Sequence, residues 1–191
     1  QNKKEIQNNN DKRYSVESSY HLSFLNANIE FDPYHFASIG FNYNLFKKIV
    51  VGSSIDKSLN TIILGSERVF GKMTQKKLNS STVLSPYLWY AIQNKKNIFW
   101  GPFISPNIGY ATLQLVQNNA LYVEKNPFLF GIGGGIKASL KIIPRLLLTF
   151  AFSYTYSFSK DISLLQNEEY DNATINNFPI LNFEQGLSYC F

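Results

Sequence analysis

The stretch LLLTFAFSYTYSFS, residues 146–159, decides the fold. In an extended chain Leu146, Leu148, Phe150, Phe152, Tyr154, Tyr156 and Phe158 share one side. Leu147, Thr149, Ala151, Ser153, Thr155, Ser157 and Ser159 share the other. Alternation this long has period two, not 3.6, and therefore predicts a β-strand. Small polar groups suit the crowded interior of a narrow barrel. No amphipathic helix elsewhere in the chain is available to cover the bulky side, so lipid is its simplest cover.

The pattern recurs outward from that strand. At 14–25, Val16, Tyr20, Leu22 and Phe24 oppose Ser15, Glu17, Ser19, His21 and Ser23. At 34–45, His35, Ala37, Ile39, Phe41, Tyr43 and Leu45 oppose Ser38, Gly40, Asn42 and Asn44. At 127–141, Phe128, Phe130, Ile132, Ile136 and Leu140 oppose Gly131, Gly133, Gly135, Lys137, Ser139 and Lys141. At 179–191, Leu181, Phe183, Leu187, Tyr189 and Phe191 oppose Asn182, Glu184, Gly186, Ser188 and Cys190. Less regular strands are predicted at 49–56, 82–93 and 98–113. Short turns at 46–48, 94–97 and 142–145 recur at an even interval and alternate with longer polar segments at 26–33, 57–80, 116–126 and 160–178. The expected architecture is all-β: a closed antiparallel transmembrane barrel of eight strands spanning 14–191, with short periplasmic turns and long extracellular loops. Closure follows from the solvent, because lipid leaves an open sheet edge without partners. Pro86, Pro102 and Pro106 fall inside predicted strands and cannot donate to a ladder, so bulges or strand ends are expected there.

Composition agrees with this reading. The 191 residues are 16% aromatic and only 16% charged, against about 25% charged in soluble domains. No apolar run approaches the ~18 residues of a membrane-spanning helix. The net charge of +5 resides in short turns, in the tail and in segment 57–80, without a basic stripe interleaved with aromatics, which speaks against nucleic acid. Cys190 is the single cysteine, so neither an internal disulfide nor a cysteine metal cluster is expected. Residues 1–13 read as a disordered polar periplasmic tail. The chain opens at Gln1 without a leader, as expected of a mature exported protein.

The carboxyl end, Glu184-Gln185-Gly186-Leu187-Ser188-Tyr189-Cys190-Phe191, resembles the assembly signal of outer-membrane barrels. The resemblance implies that the barrel-insertion machinery reads Gly186, Tyr189 and Phe191. The overall layout looks like the small eight-stranded barrels grouped around the OmpA membrane domain, OmpX and OmpW, which implies residence in the bacterial outer membrane. The Asn- and Lys-heavy composition looks like that of Bacteroidota proteins.

Four inward charges, Glu17, Lys137, Lys141 and Glu184, are expected to form a lumen network, because an unpaired charge in a narrow lumen is costly. Such a network would fill the barrel; the alternative is a gated polar path. Tyr154, Tyr156, Phe158 and Trp100 are expected in the interfacial girdles, whereas Trp89 points inward by register. The Gly133-Gly134-Gly135 run precedes no helix and is expected to allow close packing. His35 faces lipid near the outer rim but Ser38 faces away from it, so no catalytic residue is expected, and neither is a cofactor or a metal. Glu168, Glu169 and Asp171 lack calcium-loop spacing, and 172–174 matches a glycosylation sequon. Basic 57–80 and acidic 160–178 read as two solvated loops; the alternatives are that they pair with each other or that the basic residues hold lipopolysaccharide phosphates. The expected function is non-enzymatic: a structural or scaffold protein, or an accessory subunit of a larger outer-membrane complex. A small transporter for hydrophobic molecules and a lipid-modifying enzyme are the alternatives.

Overall fold

The computed structural model describes residues 14–25, 33–46, 48–69, 72–95, 97–118, 120–158, 162–163, 174–175 and 178–191. In chain order its strands are β1 (Tyr14–Leu25), β2 (Tyr34–Phe46), β3 (Ile49–Ser58), β4 (Ile62–Val69), β5 (Lys72–Tyr90), β6 (Ile92–Lys95), β7 (Ile98–Gln117), β8 (Ala120–Lys125), β9 (Phe128–Ile143), β10 (Leu146–Phe158), β11 (Ile162–Ser163), β12 (Thr174–Ile175) and β13 (Phe178–Cys190). The ring runs β1-β2-β3-β5-β7-β9-β10-β13 and returns to β1, every neighbour antiparallel. The closing seam pairs the first strand with the last, from Ser15 opposite Cys190 to Leu25 opposite Ile180. The chain therefore folds as a closed eight-stranded antiparallel barrel with additional strands outside the ring.

Burial follows the alternation. On β10, Thr149, Ala151, Thr155 and Ser157 are buried while Phe152, Tyr154, Tyr156 and Phe158 are exposed. This is an inverted protein: its buried side chains are mostly small and polar, and its large apolar ones form an outer belt that includes Ile39, Phe41, Ile136, Phe183 and Leu187. A belt of this kind on a closed cylinder is what hydrocarbon solvates. No helix among the described residues is long and apolar enough to cross a membrane. Crossing by strands needs none.

Close packing explains two glycines. A methyl group at Gly135 would lie 2.0 Å from the Phe152 carbonyl oxygen, and one at Gly186 would lie 2.7 Å from that of Ser18. Both sites put backbone where a side chain would otherwise stand.

Two expectations need correction. Segments 57–80 and 116–126 are not simply loops, since they hold β4, the first part of β5 and β8, which extend the sheet beyond the ring as the hairpins β4–β5 and β7–β8. The polar composition of 57–80 conceals two inward apolar residues, Ile62 and Leu78, that pack with Leu113 and Leu115 of β7 and with Tyr34 and Ala111. The prolines interrupt the ladder without displacing it. Between β5 and β7 the pairs Leu84–Ile108 and Leu88–Ile104 belong to one register, and the pairing is missing between them. That register sets Pro86 against Pro106, so neither chain has a donor there, and the Ser105 hydroxyl donates to the Pro86 carbonyl at 2.8 Å instead. Pro102 stands beside the break at Ala91 that separates β5 from β6. The tail 1–13, the acidic residues Glu168, Glu169 and Asp171, and most of 26–33 and 160–178 lie outside the described residues.

Candidate functional site

The lumen is built in layers. At its centre Lys137 on β9 reaches across to Glu17 on β1, with Nζ 2.9 Å from Oε1 and 2.8 Å from Oε2. Both residues are almost fully buried. The carboxylate also accepts from Thr149 Oγ1 of β10 at 2.6 Å and from Asn42 Nδ2 of β2 at 3.1 Å. Tyr87 of β5 donates to Asn42 Oδ1, and the Lys137 ammonium lies 4.9 Å over its ring. Five strands thus meet at one ion pair. Charge-assisted bonds on most of its lone pairs are what make such a pair tolerable away from water.

Toward the short turns, Val50, Trp89 and Ala91 form a buried apolar cluster with Tyr87, Phe99 and Phe103 against it. Trp89 points inward, but its Nε1 has no hydrogen-bond partner among the described residues, nor has the Ser188 hydroxyl. On the outer side of the ion pair the lumen opens into a cavity of about 170 Å³. There the imidazole of His21 stands between two carboxylates, with Nε2 3.5 Å from Glu184 Oε1 and 3.9 Å from Asp56 Oδ1. Ser19 Oγ is 3.0 Å from the same nitrogen. Asp56 accepts from Ser38 at 2.5 Å and from Ser85 at 2.7 Å. A second polar chain runs along the wall: Ser23 donates to Asn182, whose amide donates to Ser153 and Thr155. The apolar cluster of Tyr34, Leu78 and their neighbours lies beyond.

The expected network of four charges is therefore divided. Glu17 and Lys137 form the central pair. Glu184 belongs to the outer level and faces His21, its register partner across the seam. Lys141 is no member: it lies beside the turn at Pro144 and Arg145, half-exposed, and makes no ion pair among the described residues. Water reaches that rim, so the ammonium needs no buried partner. Residues that escaped the sequence reading are Asp56, Tyr87, Asn42 as a ligand of Glu17, and Thr149. All four stand on inward positions of their strands, the one signal that could have found them.

On the outside, Tyr154, Tyr156, Phe158 and Trp100 face outward and exposed, and Phe158 stacks on Phe130 at 5.9 Å. Tyr189 and Phe191 also face outward, their rings 5.3 Å apart, while Gly186 is buried against β1. Tyr20 hydrogen-bonds His35 Nδ1 on the outer face, whereas Ser38 points inward to Asp56.

No protein-family model matches the chain, and no curated protein matches it in sequence. Among solved structures it is similar to a major outer membrane protein of Thermus thermophilus, with a TM-score of 0.62, 11% identity, and coverage of 93% of this chain and 99% of that one. Neisserial surface protein A has a TM-score of 0.54 at 12% identity, covering 93% and 97%. Ail, the attachment invasion locus protein of Yersinia pestis, has a TM-score of 0.53 at 14% identity, covering 94% and 99%. None of these likenesses supports the compositional hint of Bacteroidota. At such identities the likeness is one of fold: this chain has the fold of the small outer-membrane β-barrels.

Proposed function

We propose that the protein is a non-enzymatic and non-conducting outer-membrane barrel, serving as a scaffold or as an accessory subunit of a larger assembly. The observation that carries this reading is the filled lumen. The Glu17–Lys137 pair and its ring of hydrogen bonds lie across the bore, and the Val50, Trp89 and Ala91 cluster adds an apolar layer. Eight strands enclose room for side chains rather than for a channel. The histidines support the same reading. A serine–histidine–acid triad needs the serine on one imidazole nitrogen and the orienting acid on the other. Around His21 the hydroxyl and both carboxylates approach the same nitrogen, Nε2, and His35 is engaged by a tyrosine.

Outer-membrane lipid is the proposed surrounding partner, with Lys57 at the end of β3 and Lys77 in the first part of β5 suited to lipopolysaccharide phosphates. The barrel-insertion machinery is the proposed reader of Gly186, Tyr189 and Phe191. Extraction from membranes in mild detergent followed by native-gel migration tests the assembly: a band well above 21.9 kDa plus its micelle, containing other proteins, is expected. A monomer that conducts ions stably in planar bilayers would overturn the proposal. The second reading, lateral passage of hydrophobic molecules, is favoured by the ladder gap at Pro86 and Pro106, whose flanking Ser105 and Asn107 border the cavity. Restoring donors there with a Pro86→Ala, Pro106→Ala double variant would slow such passage. Mass spectrometry of lipid A from expressing and non-expressing cells tests the lipid-modifying alternative.

A further inference from the structure

The charged groups that border the lumen cavity do not balance. They are Glu17, His21, Asp56, Lys137 and Glu184. Lys137 is already spent on Glu17, both of whose oxygens it contacts within 2.9 Å. With its carboxylates ionised the wall sets three negative charges against one ammonium, and a proton on His21 would offset only one of the two left over. Nor can the imidazole serve both remaining acids. Its Nε2 has Ser19 at 3.0 Å, Glu184 at 3.5 Å and Asp56 at 3.9 Å, and one nitrogen presents one proton. Two hydroxyls solvate Asp56, but a hydroxyl carries no charge. Uncompensated charge in a confined lumen is costly and favours a cation that can enter.

The rest of the wall says which cation. Among the described residues no group of three His, Cys, Asp or Glu side chains is placed to hold a metal ion. What the base offers is a spread of acceptors: the two carboxylates, the serine hydroxyls and the Asn182 and Asn107 amides. Such spacing suits the three donors of an ammonium group. Above them the lining turns apolar, with Tyr34, Phe36, Leu78 and Leu129 both bordering the cavity and packing on one another. A volume of about 170 Å³ is roughly ten times what a single water requires, enough for a few carbon atoms beyond the charged head.

We propose that this cavity binds a small organic cation, a protonated primary amine on a short aliphatic chain, with the ammonium between Asp56 and Glu184 and the chain against the apolar collar. The site ends at the Glu17–Lys137 layer, so it is a pocket and not a stage in a pore, and it stands whether or not the barrel joins a larger assembly.

The test is a titration of the isotope-labelled protein in lipid nanodiscs, followed by amide NMR, with n-butylammonium chloride as the probe. Butan-1-ol, sodium butyrate and calcium chloride serve as comparisons of matched shape or charge. Saturable shifts of the amides around His21, Asp56 and Glu184 are expected with butylammonium alone. Glu184→Gln, which keeps the size of the side chain and removes its charge, is expected to weaken binding about ten-fold, the worth of some 1.4 kcal/mol, and Asp56→Asn at least as much. Absence of a saturable shift, equal shifts with calcium or butanol, or unchanged binding in Glu184→Gln would each overturn the proposal. The comparison of probes on the unmodified protein decides the matter even if Asp56→Asn does not fold.

Discussion

Lys137→Ala removes the only cation that touches Glu17 among the described residues. The orphaned carboxylate keeps its bonds from Thr149 at 2.6 Å and Asn42 at 3.1 Å, yet it stays almost wholly buried with no opposite charge. Breaking a buried pair from one side costs about 3–5 kcal/mol, whereas replacing both partners by groups of similar volume is often neutral. Lys137→Ala should therefore destabilise the barrel by about 3–5 kcal/mol, and the double variant Glu17→Gln, Lys137→Met should recover most of that loss. Urea unfolding in phospholipid vesicles measures both, because Trp89 sits in the lumen and Trp100 on the outer belt, giving fluorescence reporters on either side of the wall. Conductance should stay at baseline in all variants, since the Val50, Trp89 and Ala91 layer remains. A single variant that loses less than about 1 kcal/mol, or a double variant no better than the single, would refute the idea that the charge pair rather than volume matters. A large stable conductance in Lys137→Ala would refute the plug.

Further outcomes follow from other sites. Gly135→Ala would bring a methyl to 2.0 Å from the Phe152 carbonyl, so refolding yield should collapse or stability fall by about 1–3 kcal/mol or more; a normal heat-modifiable band on electrophoresis would contradict it. Phe152→Arg places a charge midway along β10 on the outer belt and should cost about 2–4 kcal/mol in vesicles, while no loss would mean that this face does not meet hydrocarbon. Trp89→Phe removes a buried N–H that has no partner among the described residues. Losing an unmet donor, worth about 1–3 kcal/mol, should offset the volume removed from the cluster with Val50 and Ala91, leaving stability within about 1 kcal/mol of the parent; a loss of about 3 kcal/mol or more, the usual cost of a core cavity, would contradict this.

How far the sequence could be read depended on regularity. On β10 and β13 the two-residue period is strict, and inward and outward faces could be assigned residue by residue. Segment 57–80 misled because Lys72, Lys76 and Lys77 dominate its composition, whereas Ile62 and Leu78, which carry its inward row, are too widely spaced to read as a strand. The central ion pair joins residues 120 positions apart. Alternation places both inside without saying which inward acid meets which inward base, a matter of strand register and side-chain reach. In the alternation Lys141 is therefore equivalent to Lys137, and a single Asp56 at the end of an irregular strand carries no signal of its own. Ladder gaps at facing prolines needed the register of two strands at once.

The seam that sets Ser15 beside Cys190 has a consequence for the order of events in assembly. Every other neighbour in the ring can zip progressively from a turn or loop, but this contact joins the most distant parts of the sheet and carries the largest loop-closure entropy. Until it forms, two rows of backbone groups have no mates, and hydrocarbon punishes each of them. A partly emerged chain therefore has no stable resting state inside the bilayer, and insertion and closure must be concerted. Because β1 starts and β13 finishes at the same rim, a short tether between them, with the ring cut instead at one of its tight turns, should yield a permuted cylinder of unchanged shape.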